Sequence, residues 1–132
     1  MIPGTYDIEI IRGDTWIFKV SHKDSQGVYT NFQDDYLDKG GVGLGEIRMQ
    51  IRPAFAVRPE VTKADPLLTV STTTGEITVE TTVLTIEISA TVTAALDFNA
   101  GKYDIECVTG ETPKVVHKVL RGQATVDAEI TQ

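Results

Sequence analysis

Leu84-Thr85-Ile86-Glu87-Ile88 alternates apolar and polar side chains at every position. Because successive side chains of a β-strand point to opposite faces of the sheet, this stretch predicts a strand with one buried and one solvated face. The same alternation recurs in residues 6–10, 77–80 and 123–127. Strands of this kind are typical of antiparallel sheets that pack one side on a core. The repeated pattern predicts an all-β protein.

The size and composition of the chain are those of one globular domain. It has 132 residues, of which 41% are hydrophobic and 23% are charged, close to the averages of folded proteins. A chain of this length has room for one hydrophobic core. We therefore expect residues 1–132 to form a single β-sandwich domain. Cys107 is the only cysteine, so no disulfide within the chain can stabilise that domain.

Turn signals roughly every 8 to 12 residues divide the chain into short strands, a spacing that predicts an antiparallel immunoglobulin-like β-sandwich. The turn Thr74-Gly75-Glu76 predicts a hairpin between two of these strands, and Asp24-Ser25-Gln26-Gly27 predicts another that leads into Val28-Tyr29-Thr30. The last three strands are expected to be antiparallel. The expected strands are residues 6–12, 16–20, 46–52, 67–71, 77–80, 83–88, 102–108, 115–120 and 122–130.

One short helical turn and two long loops complete the predicted fold. Residues 91–96 predict the helix, with Ser89 or Thr91 as its N-cap. Residues 33–45 are acidic first and glycine-rich after, and we expect a long exposed loop there. Residues 53–66 carry three prolines, which predicts a second loop because proline cannot donate a ladder hydrogen bond.

The alternation also predicts the core. Tyr103 opens a late strand just after a helical corner, a placement typical of a tyrosine corner, in which the hydroxyl bonds to the backbone shortly upstream. Cys107 lies in phase with Tyr103 and Ile105, so we expect it to be a small buried hydrophobe and not a reactive thiol. Trp16 is expected to be the central aromatic. The expected core residues are Trp16, Ile47, Ile86, Tyr103, Ile105 and Val119.

The net charge of −7 disfavours two classes of partner. An acidic surface repels the phosphate backbone of nucleic acids and the headgroups of anionic membranes, so we expect neither as a partner. No N-terminal stretch combines a basic start with an apolar run, so no signal peptide is expected, and no run is long enough to span a bilayer. We expect synthesis in the cytoplasm.

The residue types of catalytic and metal sites are present but not spaced for chemistry. Ser21, His22 and Asp24 are neighbours on one stretch, whereas a hydrolase triad is brought together from different elements. His117 lies among valines and predicts a strand histidine with a satisfied ring. The glycines at 40–45 precede a strand and not a helix, unlike a phosphate-binding loop. We therefore expect no catalytic residue, no cofactor, no metal and no enzymatic activity.

The loop at residues 33–45 is the candidate site for contact with a partner. Its aspartates could supply oxygens to calcium, but the spacing of a calcium-binding loop is absent. A flexible loop that orders against another protein is the favoured interpretation, and deletion of residues 36–44 is expected to weaken association while folding stays intact. The candidate contact residues are Asp34, Asp35, Tyr36, Leu37, Asp38, Gly40, Gly41 and Gly43.

Taken in order, several segments resemble a small β-sandwich module of tailed-bacteriophage virion proteins. Its best-known example is the N-terminal domain of the baseplate upper protein of lactococcal phages. The acidic, glycine-rich loop is an insertion relative to that module. The segments that carry the resemblance are Gly13-Asp14-Thr15-Trp16, Asp24-Ser25-Gln26-Gly27, residues 46–52, Thr74-Gly75-Glu76-Ile77, residues 89–96, residues 101–106 and residues 119–126.

The resemblance implies a non-enzymatic structural or adaptor protein of the virion, in the tail, baseplate or neck. It implies contacts with other virion proteins and with copies of the chain itself, either as a homo-oligomer or as a monomer that assembles on the virion. The alternative is a carbohydrate-binding or host-adhesion module, because β-sandwiches often bind glycans. Sugar platforms use clusters of exposed aromatic residues, and aromatics are only 7% of this chain.

Overall fold

The chain folds into two β-sheets, and the computed structural model describes residues 4–39, 43–53 and 66–128 of it. A short helix, α1 (Ala90–Ala94), and a π-helical turn at Gln33–Leu37 lie between strands. The strands are β1 (Gly4–Thr5), β2 (Ile8–Ile11), β3 (Trp16–Val20), β4 (Glu46–Arg52), β5 (Leu68–Ser71), β6 (Ile77–Glu80), β7 (Val83–Ile88), β8 (Ala100–Val108) and β9 (Val116–Asp127).

The larger sheet has the strand order β1-β9-β8-β4-β5, with β2 continuing beside β9, and the smaller sheet has the order β3-β7-β6. Ile105 on β8 lies opposite Met49 on β4 and Leu120 on β9. Side chains of alternate residues therefore enter the space between the sheets together. The predicted all-β sandwich is confirmed.

The strand order is that of an immunoglobulin-like sandwich. In that fold strands B, E and D belong to one sheet, and β3, β7 and β6 take their places here. Strands C, F and G form the other sheet, and β4, β8 and β9 correspond to them. The added strand β5 beside β4 matches the larger, variable type of this fold. Two pairings among the described strands are not antiparallel: β1 and β2 each run parallel to β9.

Three features of the predicted strand arrangement differ from the structure. β9 is one continuous strand that includes Gly122, and not two strands. Gly122 has no side chain, so the Tyr6 carbonyl can approach β9 at a point where a side chain would collide with it. β5 and β6 belong to different sheets, so Thr74-Gly75-Glu76 connects sheets and does not form a hairpin. Residues 28–30 form a single bridge, between Tyr29 and Lys23, and not a strand.

Most of the predicted core is confirmed. Ile47, Ile86, Tyr103, Ile105 and Val119 are all buried. Trp16 is only partly buried, because it lies on β3, and within the described residues no other strand pairs with β3 on the side away from β7. Its indole Nε1 donates to the Glu9 carbonyl at 3.0 Å. Among the described residues Phe32 is the aromatic residue with the lowest exposure, at 0%, and the alternation does not predict its burial.

The expected tyrosine corner is replaced by a longer-range contact. The hydroxyl of Tyr103 donates to the carbonyl of Tyr6, on the opening segment of the chain, and not to the backbone just upstream of Tyr103. Burial raises the pKa of the Tyr103 phenol above its ordinary value, so the hydroxyl keeps its proton. Tyr103 on β8 therefore holds the segment between β1 and β2 against the larger sheet.

The predicted helix is present between β7 and β8. Ser89 is its N-cap, and its Oγ accepts a hydrogen bond from the backbone nitrogen of Val92 at 3.3 Å. Thr93 is buried and donates to the Asp14 carbonyl at 2.8 Å, which holds α1 against the turn between β2 and β3. No helix in the described ranges is long and apolar enough to cross a bilayer.

Ile105→Ala is expected to lower the free energy of unfolding by about 2–5 kcal/mol, because the removed atoms leave a cavity in a fully buried site. The matched control Ile17→Ala removes the same atoms from an exposed position on β3 and should change stability by about 0.5 kcal/mol at most. Urea unfolding measures both. Equal losses in the two variants would contradict the described arrangement of the core.

Candidate functional site at the loop end

Three connections meet at one end of the sandwich. They are the described parts of residues 21–45, the turn at 81–82 and the loop at 109–115. The backbone nitrogen of Phe32 donates to the Thr81 carbonyl at 2.7 Å, which joins the first connection to the second. A side chain at Gly110 would collide with Leu44, 2.6 Å away, so the first connection also touches the third. We call this group of connections the loop end.

The start of the candidate contact loop is structured and partly buried, which corrects the expectation of a fully exposed loop. Residues Gln33–Leu37 form a π-helical turn. Phe32 and Tyr36, four residues apart on one face of that turn, are both buried, and Leu37 packs against the core. Tyr36 and Leu37 therefore serve the core, and their side chains are not open to a partner.

Tyr36 is fixed by a polar partner as well as by packing. Its hydroxyl lies 2.8 Å from Nδ1 of His117 on β9, and the two rings meet edge to face. Burial raises the pKa of Tyr36 to about 12, so the phenol is protonated near neutral pH and its hydroxyl is hydrogen-bonded to the ring nitrogen. His117 is thus a strand histidine with a satisfied ring, as predicted.

The aspartates of the turn remain in solvent. Asp34, Asp35 and Asp38 are exposed. Asn31 Oδ1 accepts a hydrogen bond from the Asp34 backbone nitrogen at 2.9 Å, and the side chain of Gln33 donates to Asp38. These contacts shape the turn locally. A partner can therefore reach these three carboxylates.

The glycine half of the loop is described only in part. Gly43 has a positive φ of 68°, a conformation that side-chain-bearing residues rarely adopt. Gly40 and Gly41 lie outside the described residues. The structure therefore places six of the eight candidate contact residues: Asp34, Asp35, Tyr36, Leu37, Asp38 and Gly43.

The loop end brings together no catalytic triad or metal centre within the described ranges. His22 Nδ1 faces the Thr30 hydroxyl at 3.1 Å, and Asp24 accepts hydrogen bonds from the backbone nitrogens of Gln26 and Val28. His22 and Asp24 therefore bond to nearby residues of the same connection and not to each other. No three His, Cys, Asp or Glu side chains converge as a metal site in the described part of the chain.

Cys107 lies on β8 opposite His117 on β9 and is fully buried, as predicted. Burial raises the pKa of its thiol to about 12, and the neighbouring Glu106 carboxylate adds to the shift. A thiol with so high a pKa carries almost no thiolate at neutral pH, and the thiolate is the nucleophilic form. Cys107 is therefore a packing residue.

The loop end also carries an apolar surface that the sequence analysis missed. Leu44 is 72% exposed, Val116 is 51% exposed and Val115 is 38% exposed. Val115 accepts a hydrogen bond from Thr109, beside the Gly110 that touches Leu44. We call Leu44, Val115 and Val116 the apolar patch. The sequence indicates this patch through the adjacent valines Val115 and Val116, which interrupt the alternation of apolar and polar residues at the start of β9.

Comparison of the chain with models of known protein families finds no match, and comparison with curated protein sequences finds none either. The fold, the apolar patch and the resemblance of individual segments are the features that bear on function.

Tyr36→Ala is expected to lower the free energy of unfolding by about 3–5 kcal/mol, the usual cost of removing a buried aromatic ring. The neighbouring exposed variant Asp35→Ala should change it by about 0.5 kcal/mol at most. Deletion of residues 36–44 removes Tyr36 as well, so we now expect it to destabilise the fold. A deletion variant with unchanged urea stability would show that Tyr36 contributes nothing to the core.

Stability is expected to fall as the pH rises above about 9. Between pH 9 and pH 12 the unfolded chain has lost the Cys107 proton while the folded chain keeps it. The unfolded state then binds fewer protons than the folded state, so the free energy of unfolding declines as the pH rises. Below pH 9 the stabilisation that comes from the buried, protonated Cys107 is fully present. Cys107→Ala should make this decline shallower in urea unfolding at a series of pH values. Identical slopes would contradict burial of the thiol.

Proposed function

We propose that the protein is a non-enzymatic structural or adaptor component of a tailed-bacteriophage virion, in the tail, baseplate or neck. It acts through contacts with other virion proteins and with its own copies, and it is located in the virion after synthesis in the host cytoplasm. The resemblance of its segments to a virion β-sandwich module supports this assignment. A β-sandwich is also the fold that the resemblance implies.

The observation that carries the proposal is the apolar patch at the loop end. Leu44, Val115 and Val116 are exposed at the same end of the sandwich, and aliphatic side chains in solvent gain free energy when another protein buries them. The exposed carboxylates of Asp34, Asp35 and Asp38 lie on the connection that ends at Leu44. An apolar centre with a charged surround is the usual composition of a protein interface.

The carbohydrate-binding alternative has less support from the positions of the aromatic rings. A sugar platform needs open ring faces on one surface. Tyr6 and Tyr29 are the exposed aromatic residues within the described ranges. One face of Tyr6 is stacked on Phe18 at 5.7 Å between ring centroids, and the ammonium of Lys23 lies 4.8 Å from the centre of the Tyr29 ring.

An antibody against the purified chain is expected to label intact particles of the phage that encodes it, seen by electron microscopy. Leu44→Asp should strongly reduce incorporation into particles, because a carboxylate cannot be buried in an apolar contact without a partner. Val92→Asp is the matched control, since Val92 is also an exposed aliphatic residue but lies on α1, away from the loop end. Particles without label, or equal incorporation of both variants, would overturn the proposal, and specific binding on a glycan array would favour the alternative.

A further inference from the structure

A polar groove of about 410 Å³ lies on the outer face of the larger sheet, the side turned away from the core, and Lys102, Arg121 and Gln123 are among the residues that line it. We call it the basic groove. Lys102 on β8 lies opposite Gln123 on β9, so Lys102 and Arg121 are diagonal neighbours, about 7 Å apart between their Cβ atoms. One turn that carries several carboxylates can therefore contact both cations.

The anions that line the basic groove already have partners, whereas its cations do not. Asp104 pairs with Lys118 at 3.2 Å, and Asp7 accepts a hydrogen bond from a backbone nitrogen of β9 at 3.0 Å. Within the described part of the chain neither Lys102 nor Arg121 belongs to an ion pair. The groove therefore offers two positive charges to an anionic partner.

The loop end carries the complementary charges. Asp34, Asp35 and Asp38 are exposed, and we call these three residues the acidic turn. Within one copy the acidic turn lies too far from the basic groove to enter it. From Lys102 to Val108, where β8 reaches the loop end, the strand advances six residues, or about 20 Å at 3.3 Å per residue. The acidic turn can therefore enter only the groove of another copy.

We propose that the acidic turn of one copy docks into the basic groove of a second copy. The inference deepens the proposed function and rests on it only for the claim that the chain acts through contacts with its own copies. A net charge of −7 makes the copies repel one another, so a contact between them must bring opposite charges together locally. The carboxylates of the acidic turn beside Lys102 and Arg121 do so, in a polar contact whose charges set its orientation.

Light scattering after size-exclusion chromatography of the full chain tests the contact over a series of protein and salt concentrations. In about 0.05 M NaCl the mass of the wild-type chain should rise above the 14.4 kDa of one copy. It should return to that value near 1 M NaCl, where charges are screened beyond about 3 Å.

Arg121→Glu places a carboxylate in the basic groove and should raise the dissociation constant by about tenfold or more. Lys19→Glu is the matched control, because it makes the same change of charge at an exposed position on β3, in the smaller sheet. The control should keep the dissociation constant of the wild-type chain. Urea unfolding checks that each variant is folded.

A variant of the acidic turn separates the specific contact from the general repulsion between copies. Asp35→Arg makes the chain less negative, which on its own would ease association, yet it should also weaken the contact by about tenfold or more. An equal mixture of Asp35→Arg and Arg121→Glu should associate as the wild-type chain does. In that mixture the substituted turn of one variant meets the substituted groove of the other, and the two unchanged surfaces meet as well.

A wild-type chain that keeps the mass of one copy at every protein and salt concentration would overturn the contact, even if the same chain labels virions. Association that strengthens as salt is added, or a mixture no larger than its two components, would also overturn it. Absence of the chain from virions would overturn the proposed function instead, and would leave the salt-dependent association in solution as it is.

Discussion

The contact on which the rest of the fold depends is the junction of the Tyr6 carbonyl with Gly122 and Tyr103. Gly122 leaves space for that carbonyl, and the Tyr103 hydroxyl donates to it. The junction fixes the register of β2 against β9, so that Ile8 and Ile10 point into the core. A slip of one residue would turn both isoleucines to solvent, because side chains alternate along a strand. One polar contact thus decides which face of the opening strand is buried.

The surfaces of the sandwich differ in how far their polar groups are satisfied. On the outer face of the larger sheet Arg48 pairs with Glu106 at 2.8 Å, and Lys118 pairs with Asp104 at 3.2 Å. Such exposed pairs add little stability, but they leave that face charged and hydrated. The exposed aliphatic side chains of the described residues lie instead on the loop end, on β3 and on α1. The face of the larger sheet is therefore less suited to a dry contact than these regions.

Period-two alternation was sufficient to predict most of the strands and most of the core, since Ile47, Ile86 and Ile105 follow it strictly. It carries no information on strand direction, so the parallel pairing of β2 with β9 could not be predicted. The turn at Gln33–Leu37 was missed because its acidic composition is typical of loops, although Phe32 and Tyr36 have helical spacing. The contact of Tyr103 with Tyr6 joins residues 97 positions apart, and no local pattern encodes such a distance.

The parallel pairing of β2 with β9 gives the domain a direction-dependent resistance to tension. Ile8 is paired with Ala124 and Ile11 with Asp127, so a pull on the amino side of β2 and the carboxyl side of β9 slides the two strands past each other. All the hydrogen bonds between them then bear the load together, in shear. An antiparallel pair pulled from one end opens one bond after another. Because forced unfolding is governed by the barrier that must be crossed, this edge suits the domain to carry force along its length.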